Sequence, residues 1–189
     1  MPFLISEYVP QAAGEEAARR RRAGVVAWAG ASAFAALVLG LVVLAPALKA
    51  GGSVLLAQAV YKLFGAACHQ IPERSFHLWG FPLAVCARCA GLYVGAAAGF
   101  LAYPLLRRPL ARTDAPRRAW LLLAAVPTTL DFLLGVTGLW ENTHASRFST
   151  ALLLGAAASF FILPGLADLF TRGPKELLRW SSAVNDSGA

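Results

Sequence analysis

Four long apolar runs decide what this 189-residue chain can fold into. They extend from about Ala23 to Leu48, Cys89 to Leu106, Ala119 to Val136 and Thr150 to Phe170. At a rise of about 1.5 Å per residue, runs of this length match a hydrocarbon core of about 30 Å. Lipid offers no partner to a free N–H or C=O, so a single spanning segment of this kind is a helix. A fifth stretch, Ser53 to Ala67, is apolar but short and carries Lys62, which reads as an interfacial or re-entrant helix. The expected fold is all-α: a polytopic membrane protein with four transmembrane helices and a short helix in the first outer loop. Composition agrees, because 58% of residues are hydrophobic, only 14% are charged and the mean hydropathy is +0.59. A soluble domain carries about 25% charged residues.

The net charge of +7 does not point to nucleic acid, because the basic residues sit in short blocks beside the apolar runs. With the N-terminus cytoplasmic, Arg19 to Arg22, the loop arginines 107, 108, 112, 117 and 118, and Arg172, Lys175 and Arg179 all lie inside. That is twelve of the 17 basic residues, leaving Lys49, Lys62, Arg74, Arg88 and Arg147 outside. The bias predicts a multi-pass protein of the cell membrane with both termini cytoplasmic, its inner arginines also meeting anionic lipid headgroups. Trp28, Trp120 and Trp180 fall near inner boundaries and Trp79 and Trp140 near outer ones, as an aromatic belt requires. Residues 1–22 and 181–189 read as cytoplasmic tails, mobile over their ends, and 23–180 as one membrane domain. A cleaved secretory signal, with Ala45-Pro46-Ala47 as its site, is disfavoured by an apolar region too long for a signal core.

Small residues recur where helices must approach closely. Gly91, Gly95 and Gly99 stand at i, i+4 and i+8, with Gly155 and Ser159 repeating the device in the fourth span. Such a groove replaces the missing hydrophobic drive with van der Waals contact, here within the chain. Pro127 and Pro164 each remove a backbone donor and should kink their helices. Asp168 and Arg172, four residues apart, are expected to pair.

The reactive side chains gather on one side. Cys68, Cys86 and Cys89, with His69, His77 and His144, all fall in or beside the outer segments. Cys86 and Cys89 share one face at the mouth of the second span, with Tyr93 one turn deeper. Two thiolates so spaced can reach one tetrahedral ion, with Cys68 and His69 or His144 completing the ligation. The same pair can instead exchange a disulfide, since a helix N-terminus favours thiolate, with Cys68 as resolving partner. A structural disulfide or inert thiols are the third possibility. A span-end carboxylate, Asp131, needs a partner; Arg147 is the expected one, with Arg74 and Arg88 as competitors. An anion held by arginine, with Asp131 accepting a proton, is the functional alternative. Glu141 and His144 could share a metal or a proton, and His77, beside Phe76 and Trp79, reads as interfacial.

The run C-H-Q-x-P-x-R-S from Cys68, then C-x-R-C-x-G-x-Y from Cys86, then Asp131 and Arg147, resembles a family of small bacterial and archaeal predicted membrane proteins. That family is known only as a domain of unknown function. The likeness covers about residues 60 to 165. It implies that Cys68, His69, Arg74, Ser75, Cys86, Arg88, Cys89, Gly91, Tyr93, Asp131 and Arg147 are characteristic positions, and it implies no reaction. A looser likeness links the chain to quinone-coupled disulfide-generating membrane enzymes, which also have four helices and an outward C-x-x-C at the start of the second. This chain departs from them in lacking a second cysteine pair.

The expectation drawn from these residues is an outward-facing metal site with Cys68, His69, Cys86 and Cys89 as first-choice ligands and His144 and Glu141 in reserve. Soft sulfur favours zinc or copper(I). The alternatives are a thiol–disulfide oxidoreductase using Cys86 and Cys89, or a non-catalytic structural or partner-binding subunit. No P-loop, H-E-x-x-H, G-x-S-x-G or C-x-x-C-H stands in the sequence. An impermeant thiol reagent added to intact cells should label a single cysteine engineered within residues 137–143 and spare one at 110–115. The reverse pattern would overturn the orientation.

Overall fold

The computed structural model describes residues 4–107 and 114–186, with side chains over 13–107 and 114–171. Among the described residues five α-helices follow one another: α1 (Leu4–Ala50), α2 (Val54–Gly65), α3 (Ala87–Leu106), α4 (Arg118–Val136) and α5 (His144–Asp186). Four contain segments long and apolar enough to cross a membrane: Ala13–Ala50, Ala87–Leu106, Arg118–Val136 and His144–Thr171. Large side chains such as Leu37, Leu101, Leu122 and Leu153 are exposed on these helices, as lipid-facing surfaces require. The protein is therefore an all-α, multi-pass membrane protein. Two boundaries differ from expectation. The helix α1 is already formed at Leu4, in a segment rich in Ala, Glu and Arg and braced by an Arg20–Glu16 pair of 2.6 Å. The last helix begins at His144 rather than near Thr150, because its polar first turn is held by Thr143, whose Oγ1 accepts from the Ser146 backbone N–H at 3.0 Å. The anticipated Asp168–Arg172 pair involves a side chain outside the described residues.

Between α1 and α2 the chain reverses through Gly51 and Gly52. Gly52 has φ +81°, and Ser53 N–H reaches back to the Leu48 carbonyl at 2.9 Å while Gly52 N–H reaches Lys49 at 3.2 Å. This is a Schellman closure, which needs a residue tolerant of left-handed backbone. The helix α2 then folds against α1 as a short apolar helix instead of a fifth span. Beyond it lies a feature the apolar pattern did not announce. A two-residue antiparallel ladder, β1 (His77–Leu78) with β2 (Phe81–Pro82), pairs His77 with Pro82 and Leu78 with Phe81. Its turn residues, Trp79 and Gly80, both have positive φ, 51° and 80°, the geometry of a type I′ turn.

The helix α5 is the hub, packing against α3, α4 and α1. Its contact with α3 is made by the glycines. A Cβ at Gly91 would collide with the Phe148 carbonyl, one at Gly95 with that of Leu152, and one at Gly99 with the Ser159 side chain. In return, Gly155 lies against the Leu92 carbonyl. The two backbones therefore mesh from both sides, the intrachain packing that the spacing implied. Lower in the bundle, Trp28 Nε1 donates to the Phe100 carbonyl at 2.8 Å and Arg19 donates to the Thr171 carbonyl at 2.5 Å, tying α1 to α3 and to α5. In contrast, α4 buries a single residue, Asp131.

Replacing Gly95 by Ile should lower the unfolding free energy in detergent by about 1–3 kcal/mol or more. Gly40→Ile, at a position with nothing within 4 Å of a built Cβ, should stay within about 0.5 kcal/mol. Equal losses at the two positions would refute meshed packing.

Candidate functional site

One end of the bundle collects the start of α3, the end of α4, the start of α5 and the loop after α2. Cys68 stands three residues beyond α2, its N–H still bonded to the Phe64 carbonyl at 2.9 Å. Two residues later Gln70 takes φ 50°, an unusual conformation for a side chain of this kind. The bend has a use. It aims the Gln70 backbone N–H at Cys68 Sγ, 3.5 Å away, while the Cys86 backbone N–H reaches the same sulfur at 3.3 Å. The Gln70 side chain secures the bend, donating from Nε2 to the Tyr61 carbonyl at 2.7 Å and to the Ala84 carbonyl at 2.6 Å. Tyr61 in turn donates its hydroxyl to the Pro82 carbonyl at 2.5 Å. The loop, α2 and the approach to α3 are thus clipped together beside one buried sulfur.

Cys86 is the N-cap residue of α3 and Cys89 lies in its first turn. All three cysteines are free, and their sulfurs lie within 4.8 Å of one another. Three sulfurs around one zinc at about 2.3 Å would stand about 3.8 Å apart, so small side-chain movements suffice to close on an ion. The Cys86 thiol is held below the ordinary cysteine range. A hydrogen bond from the Cys89 thiol does most of this, burial opposes it, and the Cys89 backbone N–H adds to the lowering. Thiolate is the form that ligates metals and attacks disulfides, so the arrangement suits either chemistry.

Of the other candidate ligands, His69 lines the same cavity but stands outside the sulfur group. The reason is local: Cys68 is buried against the core, and its neighbour in sequence is left exposed. His144 is engaged elsewhere, its ring 5.6 Å from that of Phe76, which packs edge-on against Phe148 at 5.7 Å. Glu141 and His77 are exposed and also stand apart from the cysteines. Ser75 is buried and donates to the Ile71 carbonyl at 2.9 Å, closing the turn at Pro72–Arg74, and Tyr93 packs against Phe64. Gly91 serves the α3–α5 contact described above.

The charge pair requires a correction. Asp131 pairs with Arg88 at 2.5 Å, and not with Arg147. Arg88 is the second residue of α3, and its guanidinium also lies 5.4 Å from the centre of the Phe132 ring. Because α5 starts at His144, Arg147 belongs to that helix's first turn and lines the cavity instead. Asn142, which sequence reasoning passed over, donates from Nδ2 to the Asp131 backbone carbonyl. Gln70 was likewise missed, although it sits inside the C-H-Q run. The cavity itself has a volume of about 560 Å³. Its walls include the three cysteines, His69, Arg74, Arg88 and Arg147, with apolar surface from Leu92, Phe132 and Val136.

Residues 68–161 match a family described as "Predicted membrane protein (DUF2085)". That stretch opens on Cys68 and contains every cysteine and arginine of the cavity. An uncharacterized protein of Methanocaldococcus jannaschii is 36% identical over 105 residues, spanning 56% of this chain and 67% of that protein. Another, of Methanothermobacter thermautotrophicus, is 40% identical over 88 residues, spanning 47% of this chain and 77% of that protein. No solved structure matches.

Asp131→Asn strands the Arg88 charge, whose side chain is only 24% exposed, and should cost about 3 kcal/mol of stability. Adding Arg88→Gln should recover part of the loss, whereas adding Arg147→Gln should not. A cycle of these variants measured by denaturant unfolding in detergent separates the two partners, and rescue by the Arg147 change alone would reverse the assignment.

Proposed function

The chain belongs to the DUF2085 family of predicted membrane proteins, and on that premise we propose that it carries a thiolate metal site, for zinc or copper(I), at the extracytoplasmic face of the cell membrane. The observation that carries the reading is the convergence of three free cysteine sulfurs within 4.8 Å, one of them already accepting two backbone N–H bonds. The two backbone donors fix that sulfur in position beside the other two, and a metal takes all three as thiolates. Cys68, Cys86 and Cys89 supply three ligands in this reading. A tetrahedral ion keeps a fourth position toward the cavity, which His69 or an exogenous ligand fills. An open position beside a cavity is the arrangement of metal sites that act on or hand over a ligand. The basic blocks support placing both termini in the cytoplasm. Arg19 and Arg22, which line a second cavity beside Phe170, suit contact with anionic headgroups there.

A second reading has its own support. The lowered Cys86 thiol, three residues from Cys89, fits thiol–disulfide exchange. One comparison separates the two. Elemental analysis of gently purified protein should find about one zinc or copper per chain, absent from a Cys68→Ser, Cys86→Ser, Cys89→Ser variant. Bound metal should also fall away on acidification, as protons compete for the sulfurs. A metal-free chain whose Cys86–Cys89 pair alkylates only after reduction and exchanges rapidly with a glutathione redox buffer would select the redox reading, and the same pair inert to exchange would be a structural disulfide.

A further inference from the structure

The proposed metal site leaves most of the cavity beside it unexplained. Three guanidiniums line that space, from the turn after Pro72 (Arg74), from α3 (Arg88) and from the first turn of α5 (Arg147). Arg88 is matched by Asp131. Arg74, which is exposed, and Arg147, which is half-buried, have no hydrogen-bond acceptor or ion-pair partner among the described residues; the positive charges of Arg74 and Arg88 bear on Arg147, with Asp131 and Cys86 acting in the opposite sense. Two further polar atoms of lining residues, Arg88 Nε and Asn142 Oδ1, are buried without a partner. The sulfurs do not settle this account. A thiolate can offset part of the charge, but a guanidinium fork is matched by paired oxygens, which no sulfur offers. Collecting like charges at the end of a membrane bundle is costly unless an anion joins them. Leu92, Phe132 and Val136 add an apolar stretch of wall.

From this juxtaposition we propose that the cavity binds an anionic amphiphile. Its oxyanion head, a carboxylate or phosphate, sits on Arg74 and Arg147, and its hydrocarbon body lies along Leu92, Phe132 and Val136. The head comes to rest next to the three sulfurs, so the inference deepens the metal reading by naming the class of ligand that the open position faces. It needs the arginines, however, and not the ion.

The test uses the full-length protein in zwitterionic lipid nanodiscs, with hexanoate, hexyl phosphate and hexanol as probes and the thermal unfolding midpoint as readout. Metal content is measured in the same samples. Hexanoate or hexyl phosphate should raise the midpoint in a saturable way and hexanol should not; the stronger of the two anions identifies the head group. Arg147→Gln should weaken the effect about tenfold, the loss of one charge-assisted contact, with metal content unchanged. Arg147→Lys keeps the charge, removes the fork and should also weaken binding. Stabilisation by hexanol equal to that by the anions overturns the proposal without recourse to any variant. So does anion binding that persists unchanged in a folded Arg74→Gln, Arg147→Gln protein. Arginine-dependent anion binding by a metal-free chain would sustain this inference while removing the metal one.

Discussion

A carboxylate in a membrane span must find a positive partner, and in this protein that requirement is met by one contact, Arg88 with Asp131. The helix α4 has nothing else to bury: its remaining side chains face outward or are only partly covered. It packs on α5, where Ser146 also hydrogen-bonds Asp131, and the ion pair supplies the specificity for how α4 meets α3. The pair also fixes the far wall of the cavity. Arg88 stands between Cys86 and Cys89 in sequence, so the residue that docks α4 shares a helical turn with two of the three sulfurs. Anything that displaced α4 would be felt at the cysteines.

The glycine mesh between α3 and α5 does a different job. It brings two backbones to a separation that no larger residue permits, and so sets the position of both helix starts. Cys86 and Cys89 ride on one of those starts and Arg147 on the other. Precision at the site therefore comes from residues deep in the bundle that never touch it. The loop after α2 completes the arrangement from outside, held by the Gln70 clip and the Tyr61 hydroxyl. Rigid helices and a clipped loop together form the kind of supporting shell that a ligating site needs.

Much of this was legible in the residues. Apolar run length gave the spans, and the spacing of Gly91, Gly95 and Gly99 gave their closest contact, because both are local consequences of helix geometry and the lipid solvent. The grouping of the cysteines at one face was legible too, since a C-x-x-C beside a span start leaves little freedom. What could not be read was which of several arginines would meet Asp131. That choice depends on how α3 rotates toward α4 and on where α5 begins, and a polar first turn from His144 does not advertise itself as part of an apolar span. The Trp79-Gly80 hairpin escaped for a related reason: tryptophan is a poor signal for positive φ. Neighbours in sequence usually diverge, and Cys68 and His69 do so here, one buried and one exposed on the cavity.

The three sulfurs differ in how they are carried. Cys86 and Cys89 are preset one turn apart at the head of a packed helix, so little entropy remains to be lost when they bind a common ion. Cys68 arrives on the loop, and its approach depends on one amide side chain bridging two carbonyls. In the metal reading proposed above, the helix pair would be the preset half of the centre and Cys68 the half whose position the Gln70 clip sets. Loss of that clip would then shorten metal residence more than a change along the helix that carries the other two sulfurs.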